Sequence, residues 1–260
     1  MSQASGYRER NSTADRALTI LQMFSDEKLV VPATEVAELL GVARSTAYRY
    51  LQTLVQADFL SEDGRGGFRL GMKVLQLSRL ARRSYGLSDI AVPAMRELTE
   101  RFHQTVLLTG RMGNSVVCLE REEAVEQYVR LSYERGTVLA LNAGASAQVL
   151  LAWLDDSELD KLLKNVELRK FTDASITEPK ALKKRLAEIK ENGFAITLGE
   201  VDAEAMGIAA PIFSSAGSVV AALSVVLIRS RVTTEKIDEI VEAVVDTARG
   251  LSTQAALLEN

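Results

Sequence analysis

A chain of 260 residues with 47% apolar and 25% charged side chains has the length for one large or two modest domains with real cores. No apolar run reaches the roughly eighteen residues a membrane-spanning helix requires, and the polar start MSQASGYRERNSTADR has no apolar signal core, which predicts a cytoplasmic protein without membrane contact. A single cysteine, Cys118, excludes an internal disulfide, and a net charge of −4 excludes a general magnet for polyanions.

In chain order, the first helix is predicted from about Ser12 to Phe24, capped by Ser12 or Thr13, with Ala17, Leu18, Leu21 and Phe24 at helical spacing. SDEKLVVP reads as a loop. Pro32 precedes a second helix, TEVAELL, with Thr34 as its cap and Gly41 as its stop. A third helix covers about Ala43 to Ala57, and FLSEDGRGGFRLG then carries a hairpin signal around a Gly-rich turn. Three helices and a hairpin, with a very short link between the second and third, spell a winged helix-turn-helix.

At about 100° per residue the third helix has two faces. Ala47, Tyr50, Leu51 and Leu54 form the packing side, whereas Ser45, Tyr48, Arg49 and Gln52 form a side with hydrogen-bonding groups and no carboxylate. The charge distribution points the same way. Residues 40–85 carry eight Lys/Arg against three Asp/Glu, while residues 86–260 carry nineteen against twenty-six. A local basic segment on an acidic body is the footprint of a polyanion-binding module.

Residues 72–87 read as a connecting helix with Val74, Leu77 and Leu80 or Ala81 on one face. Residues 88–103 read as a helix capped by Ser88, with a break or kink expected at Pro93. TVLLTGRM, SVVCLERE and QYVRLSYE look like three consecutive strands, with a turn at Gly113-Asn114 between the first two. ASAQVLLAWL, SELDKLLKN and EPKALKKRLAEIKENG look like helices. FAITLGE, MGIAAPIF and SVVAALSVVLI are strands again, the last two joined by a tight SSAGS turn, and a long helix ends the chain. Strands in two groups with helices between them predict an α+β sensor-type domain.

The stretches DRALTILQMF, ATEVAELLGVARSTAYRYLQTLVQADFL, GGFRLGMKVLQL, YVRLSYERGTVLALNA, GFAITLGE, GIAAPIF and VVAALSVV follow one another as in the IclR-type bacterial transcriptional regulators, and the chain resembles that family over nearly its whole length. The resemblance implies a winged helix-turn-helix domain at 1–71, a linker and dimerisation helix at 72–87, and a GAF/PAS-like effector-binding domain at 88–260. It implies a sequence-specific DNA-binding regulator, repression being the expected sign, that works as a homodimer or homotetramer on a palindromic operator under control of a small organic effector. The family's usual His-Ala-Thr-Ala-x-Gly-Lys stretch reads Asn142-Ala143-Gly144-Ala145-Ser146-Ala147-Gln148 here, and its Gly-Val-x-Cys reads Glu204-Ala205-Met206-Gly207. A differently lined pocket is therefore expected.

On the DNA face, Arg49 is the candidate for a bidentate contact to guanine, whose O6 and N7 match the guanidinium fork. Ser45 and Thr46 suit phosphate oxygens or base edges, Tyr48 a phosphate or a thymine methyl, and Arg44 and Arg16 phosphate. Arg65 at the hairpin tip suits the backbone or the minor groove. By position in the family, Gly144, Ala145, Ser146, Met206, Gly207, Ile208 and Ser224 are the effector candidates, although Ser224 also fits a strand serine bonded to backbone. Arg130 would pair with an effector carboxylate or make a surface salt bridge. Apolar walls with sparse donors suit a small aromatic or hydrophobic acid.

No catalytic residue, metal site or cofactor is predicted. His103 reads as a surface or capping residue and Cys118 as buried and inert. Glu200, Asp202 and Glu204 read as a solvated loop, with ligand or cation binding as the alternative. CxxC, HExxH, GxGxxG and phosphate-loop spacings are missing. Two further readings stay open: a constitutive DNA-binding protein with an empty pocket, and a small-molecule enzyme or carrier with a vestigial winged domain.

Overall fold

The computed structural model describes residues 12–25, 27–124 and 134–258. The chain divides into two compact units with the boundary after Ala81. The first holds α1 (Ser12–Leu21), β1 (Val31–Pro32), α2 (Ala33–Leu40), α3 (Arg44–Gln56), β2 (Leu60–Glu62), β3 (Gly67–Leu70) and most of α4 (Met72–Tyr85).

Gly41 ends α2 with φ 62°, a left-handed conformation that suits glycine, and α3 starts three residues later. That short turn makes the helix-turn-helix. Its core joins Ile20, Val31, Val36, Ala47, Leu51, Leu54, Leu60 and Phe68, so α3 buries the face its spacing predicts. The loop expected at 25–32 contributes a strand instead. Val31 pairs with Phe68 and Pro32 with Gly67, giving a three-stranded sheet in the order β1-β3-β2. Pro32, which lacks an N–H, sits on its edge. Thr34 lies inside α2 and caps nothing; Pro32 is the N-cap. Helix α1 is shorter than expected, ending at Leu21 rather than Phe24.

The second unit opens with α5 (Leu87–Phe102), set off from α4 by Gly86 at φ 63°. Gly86 is the N-cap, and Ser88 lies within the first turn. The helix also runs on through Pro93 instead of breaking there. Leu87 and Ala91 before the proline and Met95, Leu98 and Phe102 after it are buried in one core, and that shared packing outweighs the lost hydrogen bond.

The strands β4 (Thr105–Met112), β5 (Ser115–Glu122), β6 (Val138–Leu139), β7 (Ala195–Leu198), β8 (Ala205–Phe213) and β9 (Val219–Ile228) form an antiparallel sheet in the order β6-β5-β4-β9-β8-β7. The strand expected at 127–134 falls almost wholly outside the described residues; the partner of β5 there is β6. Alternation sorts side chains between the faces. Leu223 and Val225 of β9, with Ile208 and Ala210 of β8, pack against α5 and the long α9 (Thr234–Leu258). The other face receives α6 (Ala145–Ala152) and α8 (Pro179–Asn192), with α7 (Asp156–Asn165) joined to the same core. All eight residues of α6 are buried. Its start lies close against the sheet: a Cβ built on Gly207 would stand 3.2 Å from that of Ala145. The result is an α+β domain with helices on both faces of one sheet.

Candidate nucleic-acid interface and ligand cavity

Arg44, Ser45 and Arg49 are exposed on α3, Thr46 is half-buried, and Arg65 is exposed at the wing tip. None of the three arginines has an ion-pair partner among the described residues. The wing tip is set by Asp63, whose Oδ1 accepts the N–H groups of Arg65 and Gly67, each at 2.8 Å. These bonds hold the Asp63 carboxyl below its ordinary range. Arg69 is also exposed on β3, with its Nε donating to Ser61 Oγ at 3.1 Å.

Two of the residues predicted to contact DNA are also engaged within the protein. Arg16 is half-buried, donates to the Tyr50 hydroxyl at 2.7 Å and lies 5.7 Å from the centre of that ring, so it braces α1 against α3 rather than standing free for phosphate. Tyr48 packs edge-on against Phe68, with ring centres 5.9 Å apart, and its hydroxyl donates to Glu62 at 3.2 Å. Gln52 donates to the same Glu62 oxygen. The recognition face therefore does carry a carboxylate, supplied by the wing rather than by the helix. Its charge opposes phosphate and ties up two donors. Glu62→Ala should raise affinity for random duplex by roughly three- to tenfold at low salt. Fluorescence anisotropy on a labelled duplex measures this, and an unchanged Kd would show that Glu62 has no such effect.

In the second unit, a cavity of about 210 Å³ opens between the start of α6 and the sheet. Gly144, Ala145, Ser146, Gly207 and Ser224, predicted as effector residues, all line it. Ser146 Oγ donates to Ser224 Oγ at 2.7 Å, joining α6 to β9; this pairing, not a backbone bond, is where the Ser224 side chain goes. Leu107, Leu139 and Val226 supply apolar wall. Met206 and Ile208 do not line the cavity. They alternate with Gly207 on β8 and point into the core beneath α5 and α9, being 6% and 0% exposed. Arg130 lies outside the described residues.

Glu200 also lines the cavity, and it is not part of a solvated loop: it is 8% exposed. Its Oε2 accepts the Gly144 N–H at 3.0 Å and the Gln148 amide at 2.6 Å, so it sits at the start of α6. Burial raises its pKa, against the effect of those two hydrogen bonds. Asp202 and Glu204, by contrast, are exposed. Nothing local in the sequence marks Glu200: its partner Gly144 lies fifty-six positions earlier in the chain.

Burial pushes the Cys118 thiol up to about 11, and the side chain is 1% exposed, so it is no nucleophile. His103 is exposed and forms the left-handed C-cap of α5. No group of ligating side chains fit for a metal occurs among the described residues, nor a helix long and apolar enough to cross a membrane.

A helix-turn-helix unit followed by a C-terminal α+β unit recurs in known proteins. The model of the IclR helix-turn-helix domain matches residues 13–64, and that of the bacterial transcriptional regulator IclR C-terminal region matches residues 81–253. The HTH-type transcriptional regulator KipR of Bacillus subtilis is 29% identical over 243 residues, which are 94% of this chain and 96% of KipR. The HTH-type transcriptional repressor AllR of Salmonella typhimurium is 30% identical over 94% of this chain and 89% of its own. The crystal structure of an IclR homologue from Microbacterium hydrocarbonoxydans, complexed with 4-hydroxybenzoate, superposes with a TM-score of 0.80 at 27% identity, covering 93% of this chain and 98% of that one. The relatives are named as regulators rather than enzymes. Both halves of the chain thus match in order, and the chain belongs to the IclR family of bacterial transcriptional regulators, with a DNA-binding helix-turn-helix unit and a C-terminal effector-binding domain.

Proposed function

We propose that the chain is a cytoplasmic homo-oligomer, a dimer or tetramer, that represses by holding a palindromic operator and changes its grip when a small aromatic or hydrophobic acid enters the cavity. The cavity carries this reading. A void of about 150 Å³ takes a benzene ring, so about 210 Å³ accommodates a ring with one or two substituents. The apolar walls suit the ring, and Ser146, Ser224 and Thr197 orient its polar groups. The 4-hydroxybenzoate held by the Microbacterium homologue is a molecule of this size and type. Repression follows the description of AllR.

An effector alters DNA affinity only by favouring one arrangement of the reading heads over another. Helix α4 supplies the element through which subunits would be arranged. Met72, Leu75, Leu77 and Leu80 are exposed on it, 75%, 63%, 40% and 45% respectively, and exposed leucines in such number invite a partner helix. Two heads held this way would address half-sites about one helical turn apart, or a multiple of it. Leu77→Glu should convert the oligomer to a smaller species in sedimentation velocity; an unchanged sedimentation coefficient would remove α4 from the interface.

The function itself is tested by thermal-shift screening of the purified chain against small organic acids, amines and aromatics, with each hit carried into operator binding. A ligand that raises Tm and moves operator Kd by about fivefold or more is expected, the low end of ordinary allosteric coupling. A panel without one hit would overturn the ligand-gated reading in favour of a constitutive repressor.

A further inference from the structure

Resting on the ligand-gated reading, the charges around the cavity name the class of ligand more closely. Two lining side chains carry formal charge, Glu200 and Arg169. Glu200 is 8% exposed and Arg169 is exposed, so the cavity is negative inside and positive at its rim. Among the described residues Glu200 has no ion-pair partner; its hydrogen bonds come from the neutral Gly144 N–H and the Gln148 amide, and the Arg185 charge acts on it without direct contact. Gln148 Oε1, buried beside it, has no hydrogen-bond partner among those residues either. Of the two acceptors only Glu200 lines the cavity, where its carboxylate can accept a further donor from a ligand.

The same arrangement excludes the simplest anion-binding scheme. The start of a helix attracts a carboxylate, but at α6 the carboxylate already there is Glu200. A ligand carboxylate placed beside it would meet a like charge in a poorly hydrated site. Arg169 offers the alternative. Its guanidinium lies 5.2 Å from the centre of the Phe171 ring and makes no ion pair among the described residues. Its backbone is fixed by Asn142, 1% exposed, which accepts the Arg169 N–H at 3.0 Å and donates to the Arg169 carbonyl at 2.9 Å. The loop that follows is tied to the Glu200 turn: Ser175 Oγ donates to the Glu200 carbonyl at 2.7 Å, and Thr172 Oγ1 donates to the Gly199 carbonyl. Both charges are thus held in one framework.

We infer that the cavity takes an amphoteric, ring-sized ligand, with an amine or hydroxyl donating to Glu200 inside and a carboxylate facing Arg169 at the rim. Charge-assisted hydrogen bonds at both ends supply the selectivity. The test is calorimetric titration of the full chain with four probes: 4-(aminomethyl)benzoate, 4-hydroxybenzoate, 4-methylbenzoate and benzylamine. The first two should bind at least about tenfold tighter than 4-methylbenzoate, which lacks the inner donor, and 4-(aminomethyl)benzoate should exceed benzylamine, which lacks the carboxylate, by a similar factor.

Glu200→Gln should erase the preference of the amine over 4-methylbenzoate, while the substituted amide oxygen still accepts the Gly144 N–H. Should that variant fold poorly by its unliganded Tm, Gln148→Lys removes the same preference by placing an ammonium beside the carboxylate. Arg169→Ala should erase the advantage of 4-(aminomethyl)benzoate over benzylamine. Equal or tighter binding of 4-methylbenzoate, or an amine preference that survives the Glu200 and Gln148 variants, would overturn the inference. So would failure of all four probes, even where another compound in the broader screen moves Tm and keeps the ligand-gated reading intact.

Discussion

Replacing Gly71 with alanine should unfold the winged unit and leave the C-terminal unit standing. A Cβ at Gly71 would lie 2.1 Å from the Asp58 carbonyl oxygen, 2.8 Å from its carbon and 3.0 Å from the Leu60 nitrogen, all main-chain atoms. A flexible side chain could move aside from such a clash; this junction cannot. Gly71 N–H donates to the Phe59 carbonyl at 2.8 Å and Lys73 N–H to the Asp58 carbonyl at 3.1 Å, so wing, α3 and α4 meet here through their backbones. Asp58 is itself held at φ 60°, a region few residues other than glycine adopt. Opening the junction costs about 3 kcal/mol or more, the scale of severe overpacking. For a small unit that lowers the transition by roughly 12 °C or more. Scanning calorimetry should show the transition of the winged unit lowered or lost and that of the second unit unmoved. Two unmoved transitions would mean the junction yields easily.

Arg49→Ala should cost about 1–3 kcal/mol at one base pair and relax the preference there, whereas Arg44→Ala should weaken operator and random duplex alike. Arg49 is exposed and has no ion-pair partner among the described residues, so its guanidinium is available for a base edge; Arg44, at the first turn of α3, suits phosphate. Paired titrations of both variants on operator and on random duplex separate these roles. Equal losses on the two duplexes for Arg49→Ala would take base reading away from it.

Elements that depend on their own residues could be read from sequence. Gly41 fixed the turn of the helix-turn-helix, and the apolar spacing of Ala47, Leu51 and Leu54 gave the buried side of α3. What depended on distant residues could not. Two-residue β1 exists through its pairing with β3, some thirty-five residues on, too short to leave a periodic trace. A helix wheel for α3 counts only its own side chains and so misses Glu62, which arrives from the wing. In sequence Glu200 is one of three loop acids; its burial depends on Gly144, fifty-six positions earlier, whose N–H it accepts. Met206 and Ile208 follow a local rule instead: alternation along β8 puts them on the face opposite Gly207, away from the cavity.

We propose that α3 and the wing seat on duplex DNA through arginines that have no ion-pair partner among the described residues. Measuring association of the full chain with operator-length duplexes from its own genome, across a series of salt concentrations, tests it most directly. Log K should fall linearly with log salt, and Arg44→Ala should lower the slope by about one. Association that is absent at every salt concentration, or one whose strength does not change with salt, would contradict it.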